Sequence, residues 1–170
     1  MDGAIVALIA ASVAFVGTHF AMSHPLRAAM VGILGEKGFQ GVYSLVSLAT
    51  FAWMYLAFKA APATTPLWPG YDDVSWAIGT AIALVAMVLF AGSVMARNPA
   101  LPMPGAENAA RAEPTGVFRV TRHPMMWGFA LWALSHLIAA PTARTLVVAS
   151  AILILALVGS HLQDRKKQLL

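Results

Sequence analysis

The sequence predicts an all-α integral membrane protein: one domain, residues 1–170, built as a five-helix transmembrane bundle. Three observations carry that expectation. Of the 170 residues, 59% are hydrophobic and only 11% are charged, where a soluble domain has roughly 25% charged. Five segments, about 3–22, 41–61, 74–96, 124–140 and 143–162, stay apolar for close to the ~20 residues that cross a bilayer. The cations are also sorted by side. Arg27, Lys37, Arg97, Arg111, Arg119, Arg122, Arg165, Lys166 and Lys167 fall on one face, nine in all, against Lys59 and Arg144 on the other. Cytoplasmic loops collect Lys and Arg, so the N-terminus is expected outside and the C-terminus in the cytoplasm.

The first span carries only Ser12, Thr18 and His19 as clearly polar side chains. Met1-Asp2-Gly3 supplies no positive charge ahead of it, so it reads as a span and not as a cleaved signal. Residues 23–40 follow, with Leu34-Gly35-Glu36-Lys37-Gly38 in the pattern of a short interfacial helix broken at Gly35. The second span lies between Gly41 and Lys59, and Trp68, Tyr71 and Trp76 cluster around the loop beyond it, as interfacial aromatics do. The third starts after Asp72-Asp73 and stops at Arg97-Asn98-Pro99. Residues 97–121 are rich in Pro and Ala with interspersed Glu and Arg, and are expected to lie irregularly on the membrane surface. Pro124 opens the fourth span, where its missing N–H leaves no bond unmade. Pro141 closes it, and Arg144 separates it from the fifth. Small residues such as Gly17, Ala81, Gly92, Gly128 and Gly159 recur in the spans and suit close helix packing.

Composition narrows the chemistry. The net charge of +4 belongs to orientation in such a chain, so no nucleic-acid partner is implied. With no cysteine, disulfides, iron–sulfur clusters and thiolate ligands are excluded. Any metal falls to the five histidines. His19, His24, His123 and His161 are all expected at the inner face. His136 lies thirteen residues beyond His123, roughly 20 Å along the helix and about 220° around it, and reads as a hydrogen-bonded interior histidine beside Trp132. His19, His123 and His161 are therefore the candidate metal ligands, with His24 read as solvated. Three imidazoles without thiolates could hold zinc, or supply one or two axial ligands to a haem between helices. Arg27 and Arg122 are candidates for propionates or another anionic group, while Arg119 reads as an anchoring charge. Glu36, beside Lys37, reads as one half of a solvated pair.

Four separate segments carry a resemblance. Phe15-Val16-Gly17-Thr18-His19, the run Leu34 to Leu45, Thr121-Arg122-His123-Pro124 with Trp127-Gly128, and Ser160 to Lys167 together resemble the NnrU family of small bacterial membrane proteins. The resemblance implies an inner-membrane protein linked to denitrification enzymes that handle nitrite and nitric oxide. That family is related to plant 15-cis-zeta-carotene isomerase, Z-ISO, which binds haem b through histidines and is thought to isomerise a polyene after a change of ligand. Carried over, this implies haem b on His19, with His24 as its competitor, and on His123, with no thiolate available for a ligand switch. It also implies a longer chain, running on past Leu170 into a further Trp-containing tail. Arg-His-Pro after Thr-Gly-Val-Phe-Arg also looks like the motif of membrane methyltransferases that use S-adenosylmethionine, but Asp164 followed by basic residues replaces their acidic pair. The expected partners are the lipid bilayer, an isoprenoid or nitric oxide as ligand, and another membrane protein or a second copy of the chain. Three functions stay open here: a haem-binding sensor or isomerase, a methyltransferase, or a non-catalytic partner in reductase maturation.

Overall fold

A computed structural model describes residues 2–95 and 113–168, with side chains to Arg165. Among these residues every regular element is helical: α1 (Gly3–Ser23), α2 (Arg27–Ala60), α3 (Asp73–Met95), α4 (Pro124–Ala139) and α5 (Ala143–Gln168), with a 3-10 turn at Gly116–Arg119 before α4. Helices α1, α2, α3 and α5 are long and apolar enough to cross a membrane. The fourth expected span is the exception. With 16 residues α4 is about 24 Å long, against a hydrocarbon layer of about 30 Å. Large apolar side chains, among them Val13, Leu45, Leu56 and Met87, point outward along the long helices, as lipid-facing surfaces require.

Local chemistry sets the helix ends. The Asp2 carboxylate accepts from the Ala4 N–H at 2.9 Å and starts α1. Asp72 does the same for α3, accepting from the Val74 and Ser75 N–H groups and from the Ser75 hydroxyl at 2.7 Å. Those bonds to Ser75 and Val74 favour the ionised form and hold the Asp72 carboxyl below its ordinary value of 3.8.

The expected helix broken at Gly35 is present, and it is continuous with the second span. Gly35 has φ +69° and ψ 168°, a conformation essentially confined to glycine. The second span therefore reaches back past its expected start at residue 41, and the short helix before it joins it through the kink. Glu36 pairs with Arg27 at 2.7 Å across this bend, and not with Lys37. Arg27 also lies over the Phe39 ring, 5.3 Å from its centroid.

The helices pack as an arc in the order α3, α4, α5, α1, α2, and α3 against α4 is the most extensive pair. Leu8, Ala11 and Phe15 of α1 form a buried cluster with Met54, Ala57 and Ala61 at the far end of α2. The α3–α4 seam is made of small residues. A Cβ at Gly79 would stand 3.2 Å from the Ser135 carbonyl oxygen, and one at Gly128 would stand 3.0 Å from that of Ala86. Lipid tails are as apolar as leucine, so helices in a bilayer associate through such close van der Waals fits. The loop before α3 closes the opposite end of the bundle, where the Leu67 N–H donates to the Pro141 carbonyl at 2.7 Å and Gly70 lies against the Pro141 ring.

Two predictions follow from these contacts. Gly128→Ala should lower stability by about 1–3 kcal/mol, because the obstructing atoms are backbone and cannot rotate away; thermal or denaturant unfolding in detergent checks this. Because the folded Asp72 pKa is depressed, its contribution is present above 3.8 and is lost as pH falls through the folded value. Asp72→Asn should therefore flatten the acid side of the stability profile measured by the same unfolding.

Candidate functional site

The helices alternate in direction. Ala61 at the end of α2 meets Arg144 at the start of α5, and Asp164 near the end of α5 meets His123 at the start of α4. His19, His123 and His161 thus point toward one end of the bundle, as expected, but the fold does not bring all three into one cluster.

The approach to α4 fixes His123. Gly116, with φ +54°, turns the chain into the 3-10 turn. Val117 then seats on α3 at Gly92, where a Cβ would come within 2.6 Å of it. The Arg119 Nε donates to the Pro114 carbonyl at 3.1 Å. Residue 123 is the cap of α4: its carbonyl accepts from the Trp127 N–H at 3.0 Å, and Pro124 follows as the first helical residue. The segment expected to be irregular thus holds an ordered turn where it meets the site, while Arg97 and Arg111 lie outside the described residues.

His123 is buried, and its Nε2 meets the Asp164 carboxylate at 2.9 Å. The two face a pocket of about 540 Å³ between the 3-10 turn, the start of α4 and the end of α5, which is also lined by Arg119, Arg122, Ser160 and His161. Asp164 is the residue that sequence reasoning undervalued, judging it a weak replacement for an acidic pair. The available signal was its spacing: His161 and Asp164 are three residues apart, one face of a helix.

The other candidates lie elsewhere. His19 packs between Phe15 and Tyr43, with ring centroids at 4.4 and 5.5 Å, and its Nδ1 donates to the Phe15 carbonyl at 2.7 Å. That bond fixes the tautomer and leaves Nε2 with its lone pair. Arg27 is engaged with Glu36 and does not line the pocket. Among the described residues no three His, Asp or Glu side chains are gathered to hold a metal ion, so the three imidazoles do not share one zinc. A haem needs only one or two, and the donor set suits it unequally. His161 is exposed and has no hydrogen-bond partner among the described residues, leaving its imidazole lone pair available. His123 has Nε2 committed to Asp164 and could ligate only through Nδ1 or by giving up that bond.

A family model described as NnrU protein matches residues 7–169, nearly the whole chain. No curated protein and no solved structure matches it.

Removing the carboxylate leaves a buried imidazole without its partner. Asp164→Ala should cost about 1–3 kcal/mol, toward the low end because Asp164 is partly exposed. Asp164→Asn, which keeps an oxygen acceptor, should cost less. Unfolding in detergent checks the order of the two.

Proposed function

The chain belongs to the NnrU family, and on that premise we propose that it holds haem b in the pocket at the His123 end of α4 and serves nitrite and nitric oxide metabolism at a bacterial inner membrane. The observation that carries the reading is the pocket itself: about 540 Å³, lined by two imidazoles and two guanidinium groups with few other charges. His161 is the preferred iron ligand, because its ring nitrogens are uncommitted. Arg119 and Arg122 are positioned to take anionic edge groups, the pairing for which guanidinium forks are suited. Asp164 holds the His123 ring in one orientation beside the same space.

Bound haem would supply an iron that binds small ligands or cycles between oxidation states. With His161 as the one uncommitted imidazole to hold it, such a haem would suit a small diatomic ligand such as nitric oxide. A polyene fits this pocket less well, since it offers no anionic group to Arg119 and Arg122 in a wall otherwise shared with Phe118, Met126, Trp127 and Leu157.

The His123–Asp164 contact favours a second reading, a methyltransferase using S-adenosylmethionine. A basic, imidazole-bearing pocket with one carboxylate suits a ligand that carries both a carboxylate and a cationic centre. Protein purified from membranes separates the two. Under the haem reading it shows a Soret band that His161→Ala abolishes, that shifts on adding nitric oxide, and that His19→Ala leaves in place. Colourless protein that binds S-adenosylmethionine would replace that reading with the second. Colourless protein that binds neither would overturn both and leave a non-catalytic membrane partner.

A further inference from the structure

We propose that a second site, at the opposite end of α4, binds the ring of a bilayer-dissolved aryl alcohol, a phenol or hydroquinone carrying an alkyl or prenyl tail. It does not depend on haem in the first pocket. The site is a cavity of about 330 Å³ in the gap between α2 and α4, with α5 as its floor. Helices α2 and α4 sit at separated places in the packing arc and make no substantial contact with each other. The gap between them therefore faces lipid, and a ligand dissolved in the bilayer can enter from the side.

The walls define the chemistry. Phe51, Tyr55 and Phe58 of α2 face Trp132 and His136 of α4, over Thr145 of α5. Flat rings on both sides suit a planar guest, because aromatic pairs gain from offset and tilted contact beyond their buried area. Polar groups are few. The Thr145 hydroxyl is already bonded to that of Thr142 at 2.9 Å. His136 is different. Its Nδ1 donates to the Trp132 carbonyl at 2.8 Å, and its ring lies 4.2 Å from the Trp132 ring. The Nδ1 edge is thereby turned to the helix's own backbone, which fixes the tautomer. Nε2 keeps its lone pair on the far edge of the ring and has no hydrogen-bond partner among the described residues. An acceptor at an almost wholly apolar cavity calls for a guest with one hydroxyl donor and an apolar body. Apolar pockets with a few placed polar groups are the usual form of small-molecule sites. The cations of this end do not compete for the acceptor: Arg144 lies over Phe58 and donates to the Ala61 carbonyl, and Lys59 lies near the Tyr55 ring.

The test uses the full chain in nanodiscs with 4-decylphenol and its methyl ether as probes, since the two differ in the hydroxyl donor. The phenol should bind about tenfold more tightly than the ether, the value of one hydrogen bond in an apolar site. His136→Phe keeps a flat ring and removes the acceptor, so it should erase that preference while ether binding persists. His136→Gln, which can still accept through Oε1, should retain part of it. Circular dichroism and a monodisperse elution profile establish that each variant is folded. Equal binding of the two probes, no binding of either, or a preference that survives His136→Phe would each overturn the proposal.

Discussion

Backbone-to-backbone approach between α3 and α4 is the constraint on which the rest of the structure depends. In water, helices are driven together by burying apolar surface; in a bilayer that surface is already content with lipid, and only tight fit distinguishes protein from solvent. Gly79 and Gly128 supply the fit by having no Cβ where the Ser135 and Ala86 carbonyl oxygens pass. With α4 fixed on α3, Val117 finds its seat at Gly92, and the short turn that follows delivers His123 to the end of α5. A loop alone would not place an imidazole within 2.9 Å of a carboxylate forty-one residues away.

Both pockets are consequences of one short helix. His123 sits at its start and His136 within the last turn before its end, on different sides. Each has one nitrogen committed: His123 to a side chain of another helix, His136 to its own helix's carbonyl. The difference matters chemically. A carboxylate partner ties a ring to a charged space, whereas an i–4 carbonyl ties it to its own helix, beside an almost wholly apolar cavity.

Much of the fold was legible because hydropathy records the length of each apolar run directly. The break at Gly35 was legible too, since a glycine inside a helical pattern points to a backbone only glycine adopts. The continuity of that broken helix with the second span was not, because the polar Glu36-Lys37 pair and Gly41 place the start of the apolar run downstream of the break. The end of the bundle carrying His19, His123 and His161 followed from alternation of helix direction. Their separation did not: whether two helices at the same end share a pocket depends on packing order around the arc, which no periodicity encodes. Asp164 was misjudged for the same reason, as its value lies in facing α4 and its sequence neighbours are basic. His136 was rightly read as hydrogen-bonded beside Trp132, but the cavity it borders exists only because α2 and α4 make no substantial contact.

The brevity of α4 reaches beyond the protein. A rod of 16 residues held between neighbours of 23 and 26 leaves a step in the apolar girdle. Lipids along that side must shorten or lean to cover it, at a fraction of a kcal/mol per ångström of mismatch. Such a step would dimple the membrane beside this helix and bring water and headgroups closer to both of its ends.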